Sequence, residues 1–585
     1  MRYRVPRGFG VLLAVCMAAA CGNSTSSGVG AGSGGLGGAT GAGGGGGGSA
    51  AGGASAKGGT GGAPATGGAG GASVKGGAGG ASAKGGAGGA SAKGGAGGAP
   101  ATGGAGASGG TPATGGASAT GGAPATGGTV GTGSSFPLAL SSDHRTLVGH
   151  DGTPFPILGR ASWFVISRPV ADYQSYLANT LAKGYDAIEL MIITHHPSGN
   201  NPPHDGNGDV PFTKRLDGGA WSGALTYGNI DNEAPDFTTP NETYWQFIDT
   251  FLATCESKGI LVLMFPAYGG YQGNDEGWMA EVVANGPSRM TTYGSWIATR
   301  YKNRANIVWM AGGDLGTGSG SAGFTTAQSA AESALLTGIT SVAGQLSTNF
   351  SAEWATESIG TDQTQFGALM TLNSIYSWSG QVASNGLRAY GHSPAEPAFL
   401  LEEPYDEEGP DGNDFNPSAT QPVRRFQWWG WLSTIEGYMA GNGYVWPFVA
   451  PAWSAHLDTQ GANDMAVLNA FIRSVSWWQL VPSGQGSMKT IVTAGAGTNT
   501  DPGYVAAAAT PTGKLAVAYV PPAHTGSITV DLTVLSGTVR ARWLNPTTGA
   551  YTTIASYPNT AKQAFTPPGD NGTGSSDWAL VLDTP

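Results

Sequence analysis

Two segments of the chain place a carboxylate directly after an apolar run. The run Asn306–Ala311 continues into Gly312-Gly313-Asp314, and the run Ala398–Leu401 continues into Glu402-Glu403-Pro404. Paired glycines allow the backbone to turn sharply before Asp314, and a proline fixes the backbone after Glu403. Cleavage of a glycosidic bond requires one carboxylic acid that donates a proton and a second carboxylate. Asp314 and Glu403 are therefore our candidate catalytic pair for glycoside hydrolysis.

Each of these residues also has a purely structural interpretation. Asp314 fits a turn or a helix N-cap, where aspartate is common. The acidic run Glu402–Glu408 fits a solvated loop or a cation site. The two carboxylates together favour catalysis more strongly than either does alone, because strand ends of one barrel can hold them across a sugar ring.

Aromatic side chains fall at or just after the same strand ends, and aromatic faces pack well on the C–H surfaces of sugars. Some of them must be core residues. From nine such Trp and Tyr residues we select these as substrate contacts: Trp163, Tyr268, Tyr376, Tyr405 and Trp446.

Two histidines and a short acidic loop raise the question of a metal. His195 and His196 are adjacent and would point apart on a strand, so hydrogen bonds to substrate hydroxyls fit them better than metal ligation. The segment Asp205–Asp209 imitates the start of a calcium loop, but the twelfth position is Leu216 instead of Glu. We expect neither a metal nor a cofactor.

The charge distribution excludes a nucleic-acid ligand. All 38 Asp and Glu residues lie at or after Asp143, whereas seven of the 27 Lys and Arg residues lie before it, so the body carries a net charge of −18. Nucleic-acid binding needs clustered cations against phosphates. We expect an oligosaccharide or polysaccharide substrate and a monomeric protein.

The elements that position these residues alternate between strands and helices, which predicts a (β/α)8 TIM barrel over residues 136–484. A doubly wound open sheet is the alternative. Helix signals between the strands include Thr239–Glu242, which resembles a capping box, and an apolar stripe of Tyr173, Leu177 and Leu181. The predicted barrel strands are Phe155–Gly159, Ala187–Thr194, Ile260–Pro266, Asn306–Ala311, Leu346–Phe350, Leu369–Tyr376, Ala398–Leu401 and Gly443–Phe448.

Residues 485–585 have a different texture, with short β-rich runs separated by turn clusters such as Thr510–Gly513. This pattern predicts a small antiparallel β-sandwich. Cys255 follows Phe247, Phe251 and Leu252 at helical spacing, so we expect a buried structural thiol.

The N-terminus has the features of an export signal followed by a linker. Three arginines precede a short apolar stretch, and Ala18–Gly22 resembles a bacterial lipobox in which Cys21 is lipidated. Ordinary cleavage near Ala20 is the alternative. Residues 1–21 would then be the signal and residues 22–135 a disordered Gly/Ala/Ser/Thr-rich repeat. We expect a protein lipid-anchored to the bacterial outer membrane or cell surface, facing outside or the periplasm.

Beyond about Phe136 the chain resembles the apiosidase-like glycoside hydrolases, which pair a (β/α)8 barrel with a C-terminal sandwich labelled collagen-binding. The resemblance implies that Asp314 is the acid/base and Glu403 the nucleophile of a retaining mechanism, and that Glu402 lies where the family usually has Gly. It also adds Asp209 and Glu353 to the substrate contacts. It rests on Leu158–Trp163, Asn207–Phe212, Asn306–Asp314, Ser351–Trp354, Glu403-Pro404 and Trp543–Gly549.

One departure from the family pattern concerns specificity. The family commonly has Gly-Asp-Thr-Ala-Trp after its first barrel strand, where this chain has Gly159-Arg160-Ala161-Ser162-Trp163. We therefore expect Arg160 in place of a substrate-contacting aspartate. A retaining glycosidase acting on plant or microbial polysaccharide side chains is the leading hypothesis. A non-catalytic carbohydrate-binding lipoprotein, which Arg160 favours, and a matrix-adhesion protein are the alternatives.

Overall fold

The computed structural model describes residues 135–195, 202–224, 233–270, 277–315, 324–377, 380–408, 423–448 and 452–585. The predicted signal with Cys21, the repeat segment and His196 lie outside these residues. Within the described part of the chain, no helix combines the length and the apolar character needed to cross a membrane.

Eight parallel strands form a (β/α)8 barrel, which confirms the predicted fold class. A small antiparallel sheet precedes it, made of β1 (Ala139–Leu140), β2 (Leu147–Val148) and β3 (Pro154–Phe155). The barrel strands are β4 (Ile157–Ala161), β5 (Ala187–Met191), β6 (Leu261–Phe265), β7 (Ile307–Gly312), β8 (Phe350–Glu353), β10 (Asn373–Tyr376), β11 (Ala398–Glu402) and β12 (Ile435–Ala440), with the short β9 (Ser358–Ile359) antiparallel to β10.

The pairing order runs β8-β7-β6-β5-β4-β12-β11-β10. The ring closes where Thr371 and Leu372, just before β10, donate backbone hydrogen bonds of 2.9 and 3.0 Å to the Phe350 carbonyl. The strands of this ring are buried throughout, apart from partly buried Ala440 at the end of β12. Continuous apolar strands of this kind are expected where both faces of a sheet are covered.

The helices cover the outside of the barrel. They are α1 (Val170–Ala182), α2 (Glu242–Ser257), α3 (Met279–Tyr301), α4 (Thr326–Thr340), α5 (Thr364–Gly367), α6 (Val382–Tyr390), α7 (Arg424–Thr434) and α8 (Gln460–Arg473).

Two local helix predictions need correction, whereas the prediction for Cys255 is confirmed. Asn241, not Thr239, caps α2, because its side chain accepts the Thr243 N–H. Leu181 is 36% exposed, so the buried face of α1 ends at Leu177 and Thr180. Cys255 is a buried free thiol on α2.

The predicted eighth strand, Gly443–Phe448, is wrong. The eighth strand is β12, which pairs in parallel with β11 and β4. Its Gly437 has φ 149°, and a Cβ there would lie 1.8 Å from the Ile157 carbonyl oxygen, so the close strand approach requires glycine. The apolar segment around Phe448 instead packs edge-on against Tyr176 of α1, with ring centroids 5.0 Å apart.

The C-terminal region is a β-sandwich, as predicted. A six-stranded sheet faces a three-stranded sheet of β14, β17 and β20 across an apolar core. The strands are β13 (Val481–Pro482), β14 (Val492–Ala494), β15 (Ala506–Ala509), β16 (Leu515–Val520), β17 (Ile528–Asp531), β18 (Thr538–Leu544), β19 (Tyr551–Pro558), β20 (Lys562–Phe565) and β21 (Trp578–Asp583).

The outer face of the six-stranded sheet packs directly on α7 and α8, so one apolar cluster contains side chains from both regions. Trp428 of α7 stacks on Tyr519 of β16, with centroids 5.3 Å apart and planes 5° apart. The sandwich is therefore continuous with the packing of the barrel.

Candidate active site

The turn after β7 places Asp314 at the carboxyl end of the barrel. Gly312, Gly313 and Asp314 all have positive φ, at 78°, 114° and 46°. A Cβ on Gly312 would lie 2.2 Å from the Glu353 carbonyl oxygen, and one on Gly313 would lie 2.4 Å from the Tyr268 ring. Both glycines are therefore required by contact as well as by backbone conformation. Asp314 is half-buried, so its carboxyl lies at the mouth.

Glu353, the last residue of β8, lies directly beside this turn. Its Oε1 accepts the Asp314 backbone N–H at 3.0 Å and the Tyr268 hydroxyl at 3.2 Å, and the residue is 1% exposed. Glu353 thus holds the backbone of Asp314 in its left-handed conformation. Its predicted role as a substrate contact stays a prediction.

Glu402 reaches the same cluster from β11 because of a β-bulge. Ile375 pairs with Leu400, but the next residue, Tyr376, pairs with Glu402, so Leu401 is an extra residue in β11. An extra residue reverses the alternation of side chains beyond it. Glu402 accepts the Tyr405 hydroxyl at 2.6 Å, and Tyr405 in turn accepts the Trp163 Nε1–H at 3.0 Å.

Glu403, the predicted nucleophile, is directed to the opposite side of the strand. Its side chain accepts a hydrogen bond from Gln427 of α7 and another from the Gly441 backbone, and it is fully buried. Neither contact belongs to the Asp314 cluster. The sequence placed a carboxylate at this strand end, but the bulge determines that Glu402, not its neighbour, lies beside Asp314 and Glu353.

Electrostatics ties Asp314, Glu353 and Glu402 into one titrating unit. Burial, followed by the charge of Asp314, holds the pKa of Glu402 well above its usual range. Burial, followed by the charges of Glu402 and Asp314, does the same for the pKa of Glu353. The Tyr405 hydroxyl opposes this effect on Glu402 by stabilising its carboxylate. Carboxyls held this close do not all ionise together, and such an arrangement lets one carboxyl donate a proton while another acts as a carboxylate.

Two buried carboxyls near the site, Glu332 and Glu189, were not indicated by the sequence. Glu332 of α4 accepts the Gly312 N–H at 3.0 Å, so it anchors the turn from outside the barrel. Glu189 of β5 is fully buried, and neither of its oxygens has a hydrogen-bond partner among the described residues. Burial, then the charges of Glu402 and Glu403, raise the pKa of Glu189. No local sequence signal marks either residue, since both lie far along the chain from Asp314.

The aromatic residues divide between the cluster and its surroundings. Tyr268 packs against Trp163 with centroids 4.9 Å apart, and both contact the carboxylate network. The Tyr376 hydroxyl lies 3.5 Å from Asp314 Oδ2. Trp446 is half-buried and packs near Phe164 at 6.1 Å.

The polar candidates after β5 have other partners. His195 is 2% exposed, with its Nε2 3.3 Å from Glu281 of α3 and its ring edge-on to Trp278. Asp209 lies in a turn in which Asp205 Oδ1 accepts the Asn207 and Asp209 N–H groups.

Arg160 is not a substrate contact at the barrel mouth, contrary to our expectation. Its guanidinium donates to Asn179 of α1 at 2.9 Å and lies over the rings of Tyr176 and Tyr185. Alternation along β4 sends Arg160 to the helix layer, whereas Trp163 contacts the inner cluster. The feature that favoured a non-catalytic protein is therefore absent from the mouth.

Several solved structures share this architecture. One described as a glycoside hydrolase has a TM-score of 0.61 and 18% identity, over 77% of this chain and 97% of its own. A glycoside hydrolase family 5 protein from Bacteroides vulgatus has a TM-score of 0.58 and 18% identity, over 76% and 93%. At these identities the likeness concerns the fold. No curated protein matches the sequence.

The barrel, its terminal carboxylates and the match of residues 141–479 to a catalytic family model define the class: the chain is a glycoside hydrolase. That model is described as the apiosidase-like catalytic domain, and because it spans more than half of the chain, the protein belongs to the apiosidase-like family. Residues 490–583 match a second model, described as a proposed collagen-binding domain of a collagenase. The resemblance inferred from the sequence is confirmed.

Proposed function

We propose that the protein is a retaining glycosidase in which Asp314 is the acid/base and Glu402 the nucleophile, acting on side chains of plant or microbial polysaccharides. The observation that carries this proposal is the meeting of Asp314, Glu353 and Glu402 at the carboxyl ends of three barrel strands. Catalytic residues of such barrels lie at this face.

The first step transfers the sugar to the enzyme. The Glu402 carboxylate attacks the anomeric carbon while the Asp314 carboxyl protonates the departing glycosidic oxygen, so the C–O bond breaks as the glycosyl ester forms. The half-exposed position of Asp314 suits a proton donor to a leaving group at the mouth. The hydrogen bond from Tyr405 orients Glu402 and favours its ionised form.

The second step hydrolyses the ester. Once Glu402 is esterified its charge is gone, so the pKa of Asp314 falls and its carboxylate can take a proton from water. That water attacks the anomeric carbon, and Glu402 leaves as a carboxylate. Glu353 keeps Asp314 in position during both steps through its backbone hydrogen bond.

The test compares two adjacent glutamates. Turnover of a panel of aryl glycosides, with an aryl apioside included because of the family match, would identify a substrate. Glu402→Gln and Asp314→Asn should then each lower kcat by more than about 10²-fold. Glu403→Gln, the matched control one residue away, should retain most of the kcat, because its contacts lie with Gln427 and Gly441.

A mechanism-based label gives an independent answer. An activated 2-deoxy-2-fluoro glycoside of the substrate sugar should become esterified to Glu402, and peptide mass spectrometry would locate the adduct. An adduct on Glu403, or loss of activity only in Glu403→Gln, would overturn the assignment. If NMR shows that the product has the inverted anomeric configuration, the retaining mechanism is excluded.

We also propose that the enzyme is exported and anchored by a lipid on Cys21. This rests on the arginines before the apolar stretch and on Ala18–Gly22. A Gly-rich coil of roughly 110 residues would span about 50–65 Å, enough for the barrel to reach polymeric substrate from a membrane. Cys21→Ser should move the protein out of the membrane fraction with kcat unchanged. Retention of the variant in that fraction would contradict the anchor.

A further inference from the structure

A groove of about 520 Å³ lies between the sandwich and the turn that follows α8, away from the carboxylate cluster. One wall is formed by Ser474, Val475, Ser476 and Gln479 of that turn. The other is formed by the six-stranded sheet and the β15–β16 turn, with these residues: Thr510, Lys514, Leu515, Arg540, Arg542, Tyr551, Val581, Asp583 and Thr584.

The groove exists because the outer face of the six-stranded sheet is apolar at one end of its strands and polar at the other. Where α7 and α8 cover the sheet, the outward side chains are apolar, as at Leu544 of β18 and Ala579 of β21. Further along the same face, β18 presents Arg540 and Arg542, and β21 presents Asp583. Side chains two residues apart on a strand share a face. This polar part of the face is left open.

The charge of the groove has the opposite sign to that of the protein. Three cations, Lys514, Arg540 and Arg542, line it against the single acid Asp583. Asp583 pairs with both arginines, at 3.2 Å from Arg542 and at a shorter distance from Arg540. The body as a whole is acidic, but repulsion between exposed charges is screened beyond about 8 Å in physiological salt. An anion in the groove therefore experiences mainly the local cations.

An aromatic ring and a set of hydroxyls complete the lining. Tyr551 is 41% exposed, and Arg542 holds its ring from one side at 4.0 Å. The Nε of Arg542 has no hydrogen-bond partner among the described residues. Three exposed lining residues carry hydroxyls that can bond a polyol: Ser474, Ser476 and Tyr551.

We propose that this groove binds an acidic saccharide, a chain that contains uronic acid residues. Arginine matches a planar carboxylate with paired N–H donors, and Tyr551 offers a face for a sugar ring. The hydroxyls and Asp583 can bond sugar hydroxyls, which a simple polyanion lacks. Binding at this site does not depend on the chemistry at Asp314 and Glu402, so it is measured without turnover.

The test is the affinity of the full chain for polygalacturonate, measured by calorimetry and by affinity gel electrophoresis. Its methyl ester, which has the same backbone without charge, should bind at least about tenfold more weakly, since a charged hydrogen bond contributes about 1.5–3 kcal/mol. The double variant Arg540→Gln/Arg542→Gln should lose affinity by a similar factor. Tyr551→Ala, an exposed position, should weaken binding without affecting the charges.

The matched control removes two cations on the side of the three-stranded sheet: Lys562 of β20 and Lys489, which precedes β14. Lys489→Gln/Lys562→Gln changes the net charge by the same amount at exposed positions and should leave the affinity within about twofold. Absence of polygalacturonate binding would overturn the proposal. Equal loss in both double variants, or equal affinity for polyacrylate, a polycarboxylate without sugar rings, would show unspecific electrostatics and overturn it as well. So would binding of gelatin instead of polyuronate, which would make this a protein-binding surface.

Discussion

Replacing Arg424 with Gln should destabilise the entire folded protein by about 3–5 kcal/mol, because two buried aspartates would lose their cation. Arg424 of α7 donates from Nε and Nη2 to Asp577 at 2.7 and 2.6 Å, and from Nη1 to Asp464 of α8 at 2.8 Å. None of the three side chains exposes more than 2% of its surface. Asp577 belongs to the sandwich, so this cluster joins it to two barrel helices.

The net charge of the cluster of Arg424, Asp464 and Asp577 predicts which variant loses more stability. One cation and two acids leave a net charge of −1, so Asp464→Asn keeps a neutral pair of Arg424 and Asp577. Asp464→Asn should therefore cost only about 1.5–3 kcal/mol, the range for a lost hydrogen bond to a charged group. Arg424→Gln leaves two carboxylates in a buried site. Protonation relieves them, so its destabilisation should be smaller at pH 5 than at pH 8.

Urea unfolding followed by tryptophan fluorescence and circular dichroism measures these differences. Arg388→Gln is the matched control, since its pair with Asp362 leaves the arginine 39% exposed and should contribute about 0–1 kcal/mol. A cost below about 1 kcal/mol for Arg424→Gln would refute this reasoning. A separate unfolding transition for the sandwich would refute the shared core.

Three further predictions concern the catalytic cluster. Burial raises the pKa of Glu332 to about 7, so its stabilising contribution is lost as pH rises from about 4.5 through 7. Glu332→Gln should reduce this pH dependence of the unfolding free energy by up to about 3 kcal/mol. The same pH dependence in the variant and the parent protein would contradict this prediction. Gly313→Ala should lower kcat about 10–100-fold by displacing Asp314. Gly344→Ala, at an open position with φ 75°, is its control and should retain activity. Tyr405→Phe removes a hydrogen bond that lowers the pKa of Glu402, so the acidic limb of kcat/KM should move to higher pH. If the acidic limb of the kcat/KM profile does not move, Tyr405 does not influence the pKa of the reacting carboxylate.

The sequence indicated most of this architecture because barrel strands are short, apolar and continuous. The sequence prediction was wrong where the backbone conformation of a strand depends on its pairing with a neighbouring strand. The extra residue Leu401 is visible only in its pairing with β10, yet it determines which of two adjacent glutamates lies beside Asp314. Likewise β12 contains Glu436 and Gly437, which lower its strand signal, and only the nearby Ile157 carbonyl explains the glycine.

Residues that support the site were hidden for a related reason. Glu332 lies on a helix, apart in sequence from the Gly312 N–H that it accepts, and looks like an ordinary surface position. Gln427, which holds Glu403 outside the cluster, is hidden in the same way. Arg160 could not be assigned a direction before the register of β4 was known. Residue type and strand end predict where chemistry occurs, but not which side of the strand a side chain takes.

The stacking of Trp428 on Tyr519 has a consequence for how this gene could be divided or recombined. The first family match ends at residue 479 and the second begins at residue 490, so the boundary between the two segments lies in this interval. Their contact surface nevertheless buries Trp428 and Trp431 of the barrel region against Tyr519 of the sandwich, and water would meet these side chains in a separated half. A barrel expressed without its partner would present a broad apolar wall and would tend to aggregate. A C-terminal segment taken from another protein would therefore have to supply an apolar face that fits around Trp428 in the way that Tyr519 does.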